Sequence, residues 1–412
     1  MNRALIPILL AALTACSTAE RAADLPLVLT PITAPTGSGA AMPNLFTATD
    51  GRVLMSWFEP AGSGVYALRI SVRNSAGTWS APRDVIRRND LFVNWADFPS
   101  VVALSDGRFL AHWLQRNGSG RYAYEVRVAE SKDEGATWSA STTPHRAGVP
   151  AEHGFVSILP TADGSARFFF LDGGAGHASY TGPRPAPEGA IPMRLSTNRW
   201  GSGMADSTKI VLDQRVCDCC QTAAAITARG PVVVYRDRSD AEIRDISILR
   251  EIQGEWTAPR RVSADEWTVD FCPVNGPAIV ADGESLAVAW FTGARDTARV
   301  LVAFSTDAGT TFGPAIRVDE GTPAGRVGVQ WIGNDALVSW LERSAGDTAF
   351  VKVRRVRRDG TVGAPVTVST SSGSRSSGFP RMVRAGPGVI LAWTIPGTPS
   401  AVLMATLAPA AP

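Results

Sequence analysis

Four cysteines carry the most distinctive chemistry of this 412-residue chain. Three stand together at Cys217, Cys219 and Cys220, and the fourth, Cys272, stands in Phe271-Cys-Pro-Val-Asn-Gly-Pro277. Thiolates with an imidazole suit zinc or copper, and His153 is the candidate nitrogen ligand. Two disulfides, in any of three connectivities, are the commonest use of four cysteines in an exported protein. A vicinal Cys219–Cys220 disulfide or another redox-active pair is a third use. The Cys-x-Cys-Cys spacing is not that of a standard zinc knuckle, so spacing alone does not decide among these. A second candidate set is cationic. Arg236, Arg326 and Arg381 could recognise a carboxylate, because the guanidinium fork is bidentate, and Asp97 is the candidate acid.

These residues are far apart in the chain, and a repeat brings them together. Short apolar runs ending in an aromatic recur at Val53–Trp57, Phe109–Trp113, Arg167–Phe170, Val232–Tyr235, Leu286–Trp290, Ala336–Trp340 and Val389–Trp393. Several follow a turn signal such as Asp50-Gly51, Asp106-Gly107, Asp163-Gly164 or Asp282-Gly283, and Asp-Gly between apolar runs is a strong hairpin cue. The units lie roughly 50 to 65 residues apart, as four-stranded propeller blades do. The chain therefore reads as all-β, a β-propeller of four-stranded antiparallel blades. Seven blades are favoured, with six the alternative if the third unit is misread. One domain covers residues 25–410. The segment Leu25–Pro31 is expected to supply the outer strand that the last unit lacks, closing the ring and protecting its edges.

Aligned on the stretch before each innermost strand, the units place Asn44, Asp97, His153, Cys219-Cys220, Cys272, Arg326 and Arg381 on one ring at one channel mouth. Arg236 follows the second strand of unit four. Tyr235 is expected to pack between blades, as the Trp does elsewhere.

A further pair of segments shares the pattern S-x-D-x-G-x-T-[W/F]: Ser131–Trp138 and Ser305–Phe312. This pattern resembles the Asp-box, or BNR repeat, of sialidases and related propellers. The chain beyond its leader is similar to that broad superfamily. The combination of Cys-x-Cys-Cys, Arg244-Asp245 and Cys-Pro-x-x-Gly-Pro resembles an exported bacterial subgroup. For a sialidase the resemblance implies an arginine triad on the substrate carboxylate, a Tyr nucleophile with a Glu, and an Asp acid/base. The chain departs from it: Ala41-Met42-Pro43-Asn44 stands where the family carries Phe-Arg-Ile-Pro, and sialidases have six blades. Exo-α-sialidase-type hydrolysis is thus an alternative. The favoured reading is a non-hydrolytic propeller binding a small molecule, a glycan or a metal ion at the mouth. A scaffold with disulfide-bonded cysteines is the other alternative.

Hydrophobic residues make up 45% of the chain and the net charge is +2, which implies no polyanion partner. The basic run Lys352–Arg358 alternates like the solvated face of a strand, and no nucleic-acid-binding motif accompanies it. At the N-terminus, Arg3 and the apolar run Ala4–Leu13 read as a secretory signal too short to span a bilayer. Leu13-Thr14-Ala15-Cys16 is similar to a lipoprotein lipobox, which implies lipidation of Cys16. The expected organisation is a leader over 1–16, a linker over 17–24, and a monomeric propeller in the periplasm or cell envelope. Its contact with the membrane would run through the lipid alone.

Overall fold

A computed structural model describes residues 26–174, 191–201, 204 and 208–410. The leader over 1–16 and the linker over 17–24 lie outside the described residues. The chain forms seven separate antiparallel sheets arranged as the blades of a propeller, with no α-helix among the described residues. Each apolar run named above is the second strand of its sheet, from Val53–Pro60 in blade one to Gly388–Ile395 in blade seven. These strands are buried on both faces, which explains why they read as continuous apolar runs rather than as alternating ones. The aromatic residue closing each run is buried, and Trp57, Trp290 and Trp340 are among the largest fully buried side chains. Blade three is complete, with four strands from His153–Pro160 to Ile210–Asp213, so seven is the blade count. Blade two keeps three strands, and only an isolated bridge between Val128 and Thr142 marks the place of its fourth.

The ring closes as the apolar pattern requires. Leu27–Ile32 pairs antiparallel with Ala401–Pro409, from Leu27 opposite Pro409 to Ile32 opposite Met404. The first described strand thus becomes the outer strand of the last blade, and two sheet edges vanish. The core is a set of seams between neighbouring blades. One joins Trp57 of blade one to Ile390 and Met404 of blade seven, and another joins Trp290 of blade five to Val234 and Ile248 of blade four.

Antiparallel order fixes which loops share a face. The start of the first strand, the end of the second and the start of the third lie at one mouth of the channel. The hairpins joining strands one to two and three to four lie at the other. The two S-x-D-x-G-x-T hairpins follow the third strands of blades two and five, so they sit on the face away from the ring. Their hydrogen bonds are the same. Asp133 accepts from the Thr137 amide at 2.8 Å and its hydroxyl at 2.6 Å, and Asp307 accepts from Thr311 at the same two distances. Gly135 and Gly309 take φ of 84° and 78°, where a Cβ is disfavoured. Trp138 and Phe312 pack against the adjacent seams.

Candidate metal centre

The segment crossing from blade three into blade four brings three thiols together. Cys217 Sγ lies 3.2 Å from Cys220 Sγ and 3.9 Å from Cys219 Sγ. All three sulfurs fall within 4.8 Å of one another, and they are the one group of this kind among the described residues. None is at disulfide length, which is about 2.05 Å, and the four described cysteines are free thiols. The close pair is Cys217–Cys220, not the vicinal Cys219–Cys220 pair that the sequence suggests. Cys272, in the segment crossing into blade five, stands outside the set of three.

Guanidinium groups make this a site for sulfur anions. The turn after the second strand of blade four folds back so that Arg244 Nη1 donates to Cys217 Sγ at 3.2 Å. Arg244 is fully buried, and its Nη2 donates to Glu242 at 2.9 Å. Burial opposes ionisation of Cys217. The thiols of Cys219 and Cys220 and the charges of Arg244 and Arg236 outweigh it and hold Cys217 well below the usual thiol range. Burial, together with the neighbouring Cys217 sulfur, pushes Cys219 and Cys220 upward. Arg244 and the two neighbouring thiols therefore favour the thiolate at Cys217 over those at Cys219 and Cys220.

The other ring positions fall into separate environments. His153 is buried with its Nε2 3.8 Å from Asp172 Oδ1, and its ring packs edge-on against His145 at 3.9 Å between centroids. Asp172 is also held by Lys209 at 2.7 Å. His153 thus belongs to a polar network of blade three and is not among the three clustered thiols. The three arginines do not converge. Arg236 donates to the carbonyl oxygens of Asn275, Arg244 and Phe291 and stacks over Trp267. Arg326 donates to Ser377 Oγ and to the carbonyls of Ser374 and Gly378, and stacks over Trp95. Burial, and then the charges of Arg343 and Arg375, bring its pKa down to about 10. Arg381 stacks over Phe98 and lines the central channel, a cavity of about 200 Å³ also bordered by Asn44 and Asp97. Burial lowers its pKa to about 10, and no carboxylate among the described residues pairs with it.

Asp97 has a partner at the next blade. Its Oδ1 accepts from the Phe155 amide at 2.8 Å, where Phe155 has φ of 53°. Asn275 Oδ1 does the same for the Arg326 amide at 2.7 Å, and Arg326 has φ of 58°. Each strained residue follows a glycine, Gly154 or Gly325, at which a Cβ would collide with the clasping side chain, at Asp97 Oδ2 and Asn275 Oδ1 respectively. Asp97 and Asn275 are therefore equivalent clasps between blades two and three and between blades five and six. Burial, with the Glu152 charge adding to it, raises the Asp97 carboxyl well above its usual range. The Tyr124 hydroxyl stands between Asp97 Oδ2 at 3.3 Å and Glu152 Oε1 at 3.0 Å. One phenolic proton serves two carboxyls, so the arrangement is satisfied best when one carboxyl is protonated. Tyr235, as expected, is buried between blades, and its hydroxyl donates to Asp213.

Sequence reasoning found the thiols but missed Arg244 as the partner of Cys217. The Cys217 amide donates to the Arg236 carbonyl at 3.0 Å, which brings the cysteine to the end of the second strand, but this pairing exists only in the fold and no residue spacing announces it.

No protein-family model and no curated protein sequence matches this chain. Solved structures do. A protein of unknown function from Dyadobacter fermentans is 13% identical with a TM-score of 0.51, over 93% of this chain and 98% of that one. The phage phi92 endosialidase is 12% identical with a TM-score of 0.51, over 94% of this chain and 70% of that one. The polysaccharide lyase Uly1 is 10% identical with a TM-score of 0.51, over 92% and 91%. The chain shares the propeller fold of these proteins. At such identities the likeness carries fold and no chemistry.

Proposed function

We propose that this protein is an exported, lipid-anchored propeller that binds one thiophilic metal ion, Cu(I), through Cys217, Cys219 and Cys220, and that it does not hydrolyse glycosides. The carrying observation is the spacing of the three sulfurs. Sulfurs bound at about 2.3 Å to one ion sit about 4.0 Å apart in a trigonal plane and about 3.8 Å apart in a tetrahedron. The observed spacings, 3.2 and 3.9 Å within an overall limit of 4.8 Å, need shifts of less than about 1 Å. Soft thiolates select Cu(I) and zinc, and a structural zinc site takes four ligands. Three clustered sulfurs without His153 favour Cu(I). Arg244 and Arg236 offset the negative charge that accumulates as Cys219 and Cys220 lose their protons. Export and anchoring rest on Arg3, the apolar run Ala4–Leu13 and Cys16. The ring closes on its own chain ends, which favours a monomer.

The test is anaerobic titration of the reduced protein with Cu(I) against a coloured Cu(I) chelator. One ion per chain is expected, with loss of binding in Cys217→Ala. Two intact disulfides and no bound metal would overturn the proposal. A fluorogenic sialoside should show no turnover above background, because Arg236 and Arg326 are committed to backbone carbonyls. Arg381 favours a second, compatible role, a small anionic or glycan ligand in the channel. Loss of anion-induced thermal stabilisation in Arg381→Gln would support it, and no stabilisation in the wild type would remove it.

A further inference from the structure

The polar side chains lining the central channel divide into tied and untied. Ser100 Oγ lies 2.7 Å from His112 Nδ1, and Ser157 Oγ donates to the Thr222 carbonyl at 2.8 Å. Gln221 donates to the Ala96 carbonyl at 2.6 Å and accepts from the Gly276 amide at 3.0 Å. Gln330 donates to the Met382 carbonyl at 3.4 Å, and Asp97 is committed to its clasp. Two lining side chains stand apart. Asn44 is 8% exposed, and its Oδ1 is buried with no hydrogen-bond partner among the described residues. The Arg381 guanidinium has the Phe98 ring at 4.7 Å over one face and no hydrogen-bond or ion-pair partner among the described residues.

A buried polar atom or charge without a partner gives up its hydration and gains nothing in return. Here two such groups share one cavity. Asn44 belongs to the inner strand Ala41–Thr47 of blade one, and Arg381 begins the inner strand Arg381–Ala385 of blade seven. These blades are neighbours in the closed ring, and their inner strands pack side by side. Stacking on Phe98 covers a face of the guanidinium and leaves its N–H edge, which recognises a carboxylate in plane and bidentately. Asn44 Oδ1 needs a donor, which a carboxylate lacks and a hydroxyl supplies. The cavity of about 200 Å³ has the volume of roughly seven molecules of liquid water. That suits an acid of about six non-hydrogen atoms and excludes an oligosaccharide.

We infer that the channel binds one small 2-hydroxy carboxylate, its carboxylate on Arg381 and its hydroxyl on Asn44. This rests on the anionic-ligand role proposed above for Arg381 and narrows that role to one class of acid. Such a ligand satisfies both untied groups at once and bridges blade one to blade seven. Blade seven is the blade completed by Leu27–Ile32, so occupancy braces the seam beside the closure of the ring. None of the three clustered cysteines lines this channel, so the site is separate from the metal centre.

The experiment is calorimetric titration of the reduced, metal-free, full-length protein with lactate and with propionate, which lacks only the hydroxyl. One lactate per chain is expected, with propionate bound roughly tenfold more weakly. Asn44→Ala should bring the two acids to equal affinity, and Arg381→Gln should abolish binding of both. Melting temperatures without ligand establish that each variant is folded. If a variant does not fold, the wild type alone carries the test, and lactate should raise its melting temperature more than propionate does at equal concentration. Equal affinity of the wild type for the two acids, or a lactate preference that survives Asn44→Ala, would overturn the inference and leave Arg381 an anion site. Binding of inorganic phosphate but of neither acid would do the same. If lactate, propionate and phosphate all fail to bind, the anionic role of Arg381 itself is removed.

Discussion

The Asp133 and Asp307 hairpins and the blade-four thiol cluster sit on opposite faces and follow opposite rules. The hairpins repeat: two chain segments far apart make the same hydrogen bonds at the same distances. The thiols occur once, at one junction of one ring. What repeats serves the element that repeats, here the blade. What interrupts the repeat at an equivalent position is free to do something else. Asp97 shows the rule at work on the mouth face. Considered alone it is a buried carboxyl beside a channel. Beside Asn275 it becomes one of two equivalent clasps.

Substitutions should sharpen this division. The largest effect is expected at the unrepeated site. Cys217→Ala should abolish Cu(I) binding while the protein still melts cooperatively, as measured by chelator competition and circular dichroism. Arg244→Met should come next. Loss of a hydrogen bond to a charged group costs about 1.5–3 kcal/mol, a weakening of Cu(I) affinity by roughly ten- to a hundredfold. An unchanged affinity would separate the guanidinium from the thiolate chemistry.

At the clasp, Asp97→Ala should destabilise the fold by about 1–3 kcal/mol in denaturant melts by orphaning the Phe155 amide, with Cu(I) binding intact. Asp97→Asn keeps the acceptor and should be milder. The wild-type carboxyl is raised in the folded state, so it favours folding at low pH and loses that advantage as pH rises above the unfolded value of 3.8. The Asn variant should lack this slope. The smallest effect is expected at a hairpin. Asp307 is lowered from 3.8 to about 2, because Thr311 and Ser305 hydrogen bonds outweigh the burial that opposes them. Its contribution is complete above 3.8 and is lost as pH falls toward 2. The melting temperatures of the wild type and Asp307→Asn should therefore converge between pH 5 and pH 2.

Periodicity explains what the sequence revealed. The apolar runs recur because every second strand is buried on both faces, so blade number, strand order and ring closure by Leu27–Ile32 were legible. The ring of aligned positions was legible as a height along the channel and not as a set of contacts. Neighbouring ring positions are a blade apart, which is why His153 ends beside Asp172 and His145, and why Arg236, Arg326 and Arg381 have separate partners. Three cysteines did meet because they share one crossing segment. Arg244 was hidden because its approach to Cys217 depends on how one irregular turn folds back, and no spacing rule encodes that.

The central claim is that the three thiols hold one metal ion, and the most direct measurement is the Cu(I) stoichiometry of the anaerobically reduced protein by chelator competition. One tightly held Cu(I) per chain, lost in Cys217→Ala, is the predicted result. No competition with the chelator, or binding that survives Cys217→Ala unchanged, would contradict it.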